Sequence, residues 1–354
     1  MLLKSFKYKT PDWKLTGLNN LLLTNLLVGV NASGKSRTIR ALIAVVSFML
    51  SKPYFFQSKD FSVELTFAGD QEGFDRLLYA FSVRNGVIMK ETLKVDDRSL
   101  IRRSSKSASL KHRAVSPPDD KLVAQIRRDK MEFPEIESLM KWAEGVTFIS
   151  FSALNPFTNS VSRSLEINPI LFSELVESFN GDENKAFIKD ARSLGYNISK
   201  ICVISKGEQK WVEVKEPFVK NTIDELLLSN GMLRVLYLLA FIIKMKANGK
   251  RLSLLLIDDL GEGLDYKRAK DLSVRVFEAC EENSLQLITS SNDGLIMDVV
   301  DLSKWHVLRK SNSRVSAISQ ASNPDLFEEF RFTGLSNFDF FSSDFINSFL
   351  DSKK

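Results

Sequence analysis

Gly29-Val30-Asn31-Ala32-Ser33-Gly34-Lys35-Ser36 is the stretch on which the reading of this chain turns. The apolar run Leu21 to Val28, interrupted by Thr24 and Asn25, precedes it, and Arg37 to Val46 follows with apolar residues at helical spacing. A buried strand, a glycine turn and a buried helix are the expected elements. In that context the octet satisfies G-x-x-x-x-G-K-S, a phosphate-binding loop. Its glycines let the backbone wrap an anion with N–H groups turned inwards, and the helix start adds partial positive charge. Gly29, Asn31, Ala32, Ser33, Gly34, Lys35, Ser36 and Arg37 are the candidate phosphate-binding residues. Lys35 is expected to reach the β- and γ-phosphates of ATP, and Ser36 to hold Mg²⁺ through its hydroxyl.

A metal beside such a loop needs carboxylates from another strand. Leu254-Leu255-Leu256-Ile257-Asp258-Asp259 supplies four apolar residues and then two acids, which a buried strand would deliver to the carboxyl edge of the sheet. Asp258 is the expected Mg²⁺-side carboxylate, acting through a metal-bound water. Asp259 is the expected group that polarises the attacking water. Ahead of this strand, Leu228-Ser229-Asn230-Gly231-Met232-Leu233-Arg234 matches L-S-x-G-x-x-R at the start of a helical run. Ser229 and the N–H groups around Gly231 read either as a second anion site or as a plain helix cap. The order of the three motifs favours the first reading.

That order resembles the ABC-type ATPases, which include transporter nucleotide-binding domains, structural-maintenance-of-chromosomes (SMC) proteins and OLD-family ATPases. The resemblance spans nearly the whole chain and implies an α/β P-loop NTPase fold. Its parts would be a mixed-sheet core, an antiparallel β lobe and a helical lobe carrying the signature serine. It also implies an ATP sandwich between two copies. Lys35, Ser36 and Asp258 of one would hold Mg-ATP while Ser229 of the other touches the γ-phosphate. Val28 to Arg37, Asp258 to Tyr266, Ser290 to Asp293 and Phe330 to Phe341 look closest to an AAA-family subgroup of ABC/OLD type, many of whose members occur in bacterial anti-phage or abortive-infection modules. Two departures stand out. Asp259 occupies the place of the family's catalytic Glu, one methylene shorter. Ser291 or Asn292 falls where the family has a switch histidine, and Asn292 is carried as a candidate catalytic residue. Slow turnover is the expectation. Gln57 and Glu91 are the two candidates for the family's Q-loop residue.

Composition sets the frame around these motifs. Hydrophobic residues at 44% and charged residues at 26% exclude wholesale disorder and a collagen-like repeat. Cys202 and Cys280 are expected as buried thiols, and with His112 and His306 they form no zinc motif. A net charge of +5 permits a polyanionic partner without requiring one. No membrane span or signal peptide is read, so a cytoplasmic protein is expected. Phe61 to Val95 reads as an antiparallel meander with Asn85-Gly86 at a hairpin turn. Arg98 to Lys121, with Arg102, Arg103, Lys106, Lys111 and Arg113 among serines, reads as a mobile loop and a candidate nucleic-acid contact. The expected division is a discontinuous nucleotide core over 1–95 and 250–320, an insert lobe over 96–249 and a tail over 321–354 packed on the core. In the order the motifs favour them, three uses fit. The first is a sensor or regulatory ATPase of an anti-phage complex, acting on a separate effector protein through an ATP-dependent homodimer or higher oligomer. The second is a DNA-repair or chromosome ATPase head. The third is a transporter nucleotide-binding subunit.

Overall fold

The computed structural model describes residues 1–53, 58–69, 74–149, 171–207, 209–247, 252–343 and 345–352. The chain enters through β1 (Leu2–Lys9), β2 (Lys14–Asn19) and β3 (Thr24–Val28), followed by α1 (Lys35–Met49). An antiparallel run comes next: β4 (Phe61–Ala68), β5 (Arg76–Arg84), β6 (Val87–Val95), β7 (Arg98–Arg103), β8 (Ala108–Leu110) and β9 (Arg113–Val115). Helices α2 (Val123–Ile126) and α3 (Pro134–Glu144) lead into β10 (Val146–Ile149). After residue 170 come α4 (Phe172–Glu177), α5 (Gly181–Ser193), β11 (Lys200–Lys206), β12 (Gln209–Lys215), β13 (Ile223–Asp224) and α6 (Asn230–Ala247). The chain then builds β14 (Leu254–Ile257), α7 (Tyr266–Glu282), β15 (Gln286–Ser290), α8 (Gly294–Val299), β16 (Trp305–Ser311) and β17 (Arg314–Ile318). It closes with α9 (Pro324–Arg331), α10 (Asn337–Ser342) and α11 (Phe345–Ser352).

Fourteen strands form one mixed sheet in the order β10-β14-β15-β3-β16-β17-β2-β1-β4-β5-β6-β7-β8-β9. The first five are mutually parallel, so their carboxyl ends share one edge. Every residue of β3, β14 and β15 is buried, as strands covered on both faces require. On one face α1 and α3 pack over Leu27, Leu254, Leu256 and Ile288. On the other, α4 to α8 cover Leu26, Val28, Leu255, Ile257 and Leu287. From β2 outward the sheet is an antiparallel run, and β4 alternates buried and half-buried residues along its whole length. A second sheet, β11-β12-β13, lies against α4. The three phenylalanines Phe327, Phe330 and Phe340 of the tail are buried against the core around Trp305.

Several expectations meet a different outcome. The segment from Arg98 is not a mobile loop. It forms β7, β8 and β9, which extend the sheet edge with Leu100, Ile101 and Leu110 buried. Its turns are made by Asp96-Asp97 and Lys111-His112 at positive φ (46°, 66°, 45° and 65°), so no glycine marks them. The Asn85-Gly86 turn stands where it was expected, at φ 48° and 82°. Helix α2 is short, and after it the Asp129 carboxylate takes the N–H groups of Met131 and Glu132 and turns the chain towards α3. β10 joins the large sheet beside β14, so we propose that the inserted lobe begins near residue 171 rather than 96. Gln57 lies outside the described residues. Glu91 is buried in β6, where its carboxylate accepts from Tyr79 and from the N–H groups of Val123 and Ala124. It secures α2 and is not a Q-loop residue. Cys202 is half-buried rather than buried, on the solvent side of β11, while Cys280 is buried as expected.

Candidate functional site: a phosphate cradle facing two carboxylates

The turn between β3 and α1 is shaped by residues that few side chains could replace. A Cβ on Gly29 would stand 2.5 Å from Ser33 Oγ and 2.8 Å from the Leu308 carbonyl oxygen. Ala32 and Gly34 take φ values of 62° and 108° in alternation, which turns successive N–H groups towards one concavity. Ser33 donates its N–H to Val30 O at 3.0 Å, while its buried hydroxyl has no partner among the described residues. Gly34 caps α1, whose first turn carries no acidic residue to neutralise its positive end. Lys35 is 5% exposed and folds back into the loop, donating to Gly29 O at 2.6 Å and Val30 O at 3.3 Å. Ser36 is half-buried beside it, and Asn31 is exposed on the rim. Arg37 does not turn into the loop. Its guanidinium stacks 4.8 Å over the ring of buried Trp13.

β15 separates β3 from β14, and the parallel register brings Asp258 and Asp259 to the same edge as Lys35. Burial pushes the Lys35 ammonium below its ordinary range, and the charges of Asp259 and Asp258 pull it back up. Asp259 is pushed upwards by burial first, then by Asp258 and Glu262, against Lys35 and Arg234. Asp259 also holds a φ of 53°, a left-handed value that bends the chain sharply away from the strand. Ser290, at the end of β15, donates from Oγ to Asp258 Oδ1 at 2.7 Å and accepts the Asp259 N–H at 2.9 Å.

Ser229 is exposed at the start of α6, and its Oγ accepts the Met232 N–H at 3.2 Å, the geometry of a helix cap. Gly231 is required by proximity, since a Cβ there would sit 2.8 Å from Gly263 O. Arg234 bonds the Glu262 carbonyl and pairs with its carboxylate at 3.3 Å, so α6 is tied to the loop that follows Asp259. Asn292 is exposed on the connection after β15, while neighbouring Ser291 is buried and accepts the Asp293 N–H at 3.0 Å.

The structure thus brings the glycine loop, Lys35, Ser36, Asp258 and Asp259 together. Ser229 and Gly231 stand on a separate helix start, and Arg37 is committed to Trp13. The sequence reading assigned no role to Ser290 or to the Arg234–Glu262 tie. The signal for Ser290 was a polar pair, Thr289-Ser290, ending an otherwise apolar strand. The cradle has an orphaned hydroxyl, a buried cation and a space only glycine leaves open, and its facing acids are hard oxygen donors. These residues fit a nucleoside triphosphate with a divalent cation.

Comparison with known proteins places this geometry. An Smc head bound to the C-winged helix domain of ScpA superposes with a TM-score of 0.56 at 14% identity, over 90% of this chain and 98% of that one. An Smc head domain with an extended coiled coil, bound to the C-terminal domain of ScpA and derived from Pyrococcus furiosus, gives 0.51 at 13% identity, over 93% and 99%. At such identities the likeness is one of fold. No curated protein matches the chain. The family model described as "AAA domain, putative AbiEii toxin, Type IV TA system" matches residues 24–298, from the first residue of β3 to the penultimate residue of α8. The chain belongs to that family of AAA domains, and its fold is the ABC-type P-loop NTPase fold seen in SMC heads.

Proposed function

We propose that the protein binds Mg-ATP between two copies of itself, hydrolyses it slowly and uses the cycle to control a separate effector protein. The observation that carries the reading is Lys35, a buried ammonium in a phosphate-shaped loop, facing two carboxylates from the next strand but one. Gly29, Ser33, Gly34 and Lys35 would bind the phosphates, and Ser36 and Asp258 would hold Mg²⁺. The cation supplies charge neutralisation and orientation of the phosphates when bound. Asp259 would orient the attacking water, its carboxylate one methylene shorter than the family's usual Glu. Asn292 would stand near the γ-phosphate without a positive charge. Ser229 of a second copy would complete the site, because in its own chain it caps α6. The family description names an abortive-infection toxin and a toxin–antitoxin system, which supports a role in anti-phage defence. The two Smc heads above are bound to ScpA domains, which supports a protein partner for this head too. Among the described residues no helix is long and apolar enough to cross a membrane. Equilibrium binding of ATP with and without Mg²⁺ tests the reading: nanomolar to micromolar binding that Lys35→Ala abolishes supports it, and equal binding by the variant refutes it.

A second reading concerns nucleic acid. Strand register puts Lys90, Thr92 and Arg102 on the half of the outer sheet opposite buried Leu93 and Ile101, and Arg98, Lys106 and Arg113 are exposed at its edge. Arg103 does not belong to this surface. Its guanidinium is buried, donating to Lys121 O at 2.6 Å and Pro118 O at 3.0 Å. Lys111 is turned onto the Glu132 carbonyl and the Phe133 ring. Charge reversal at Arg98, Arg102 and Lys106 is the appropriate test. Salt-sensitive duplex binding that these changes remove supports the reading, and binding that survives them refutes it.

A further inference from the structure

We infer that Ser290 is a positioning residue that sets Asp258 and Asp259 for the divalent cation, an assignment that rests on the Mg-ATP reading above. Ser290 is fully buried at the end of β15, the strand between the phosphate loop's strand and the acidic strand. Its side chain falls on the face of the sheet covered by α1, because alternation places it with Ile288 and opposite Thr289. That is the face on which α1 begins with Lys35 and Ser36.

A hydroxyl has one hydrogen to give. An ionised Asp258 can only accept, so the 2.7 Å contact fixes the direction: Ser290 donates to Oδ1. A lone pair of Ser290 Oγ takes the Asp259 N–H at 2.9 Å. One buried hydroxyl therefore holds the side chain of the first acid and the backbone of the second. Two consequences follow. Oδ1 of Asp258 spends one lone pair on this bond, which fixes the rotation of the carboxylate presented to the cation. The N–H bond also restrains the left-handed turn at Asp259, φ 53°, which decides where that carboxylate points. The hydroxyl of neighbouring Ser291 serves a different segment, accepting the Asp293 N–H. Groups that orient a metal-binding carboxylate in this way commonly set metal affinity by about 10–100-fold.

The test is an equilibrium one and requires no turnover. A fluorescent ATP analogue is bound to the full chain in EDTA and then at rising MgCl₂, for the parent, Ser290→Ala and Ser290→Thr. The expected result is an unchanged affinity in EDTA for all three and a Mg²⁺ midpoint raised about 10-fold or more in Ser290→Ala. Ser290→Thr, which keeps the hydroxyl, returns the midpoint towards the parent's. Ser290→Cys, of similar volume with a weaker donor, replaces the alanine variant if that variant does not fold, and its midpoint moves in the same direction. An unchanged midpoint in a folded Ser290→Ala overturns the assignment while leaving the Mg-ATP reading intact. So does an equal loss of affinity in EDTA, which would mark a merely structural role. Failure of the parent to bind the analogue at all overturns the Mg-ATP reading itself.

Discussion

Lys35 and Asp259 face each other across the candidate site with different jobs, and substitution should separate them. Lys35→Ala removes a charge-assisted contact to phosphate, so ATP affinity should fall by about 10–100-fold or more in a binding titration. Asp259→Asn keeps the shape and loses the base. ATP binding should persist while turnover drops by about 10²–10⁴-fold, and a turnover assay beside the same titration reads both. A third residue reports on stability rather than chemistry. His306, buried on β16 beside β3, bonds Asn25 Oδ1 at 3.1 Å through Nε2, and its Nδ1 has no partner among the described residues. Burial depresses its pKa to about 4 from an ordinary 6.5. The folded state therefore resists protonation that the unfolded chain accepts. Stability is whole above pH 6.5, falls as the pH drops towards 4, and levels off below that, a loss of up to about 3 kcal/mol. Urea unfolding across that range should show this slope in the parent and lose most of it in His306→Gln.

Among the elements, the parallel core was the most legible. Leu254–Ile257 is a continuous apolar stretch bounded by acids, and the run into Val28, interrupted only by Thr24 and Asn25, is bounded by glycine, a pattern that suits doubly covered strands. The octet between β3 and α1 was legible for the same reason that it is constrained, since Gly29 admits no side chain. The edge strands β7 to β9 were hidden by basic residues and serines on their open side. What binds them is tertiary, and it is carried by Arg103 and Glu91 together. Arg103 fastens the carbonyls of Pro118 and Lys121 while Glu91 fastens the N–H groups at the start of α2. Two residues far apart in any local pattern thus fix one segment, which no window of sequence reports. Arg103→Ala should destabilise the protein by about 3 kcal/mol in urea unfolding, because it leaves the buried Glu91 carboxylate without its cation and the Pro118 and Lys121 carbonyls without their donor. A cost below about 1 kcal/mol would mean that the segment is held by other contacts.

At the scale of the molecule, the proposed Mg-ATP site draws on two copies of the chain. The phosphate loop and the acids stand at the sheet edge, while Ser229 is exposed at the start of α6 and α6 is tied to the loop after Asp259 by Arg234. The sequence order of the three motifs suggests this division, and the exposure of Ser229, whose Oγ accepts the Met232 N–H, is compatible with it. A twofold pairing would give each phosphate loop the serine of its partner. Mixing two disabled variants measures that claim most directly. Lys35→Ala lacks a working phosphate loop, and Ser229→Arg lacks a working signature. Each alone should be inactive as an ATPase. Mixed in equal amounts they should recover about a quarter of the parent's rate per subunit, since half of the pairs are mixed and each mixed pair has one intact site. No recovery from two folded variants, with an active parent in the same assay, would contradict a site shared between copies.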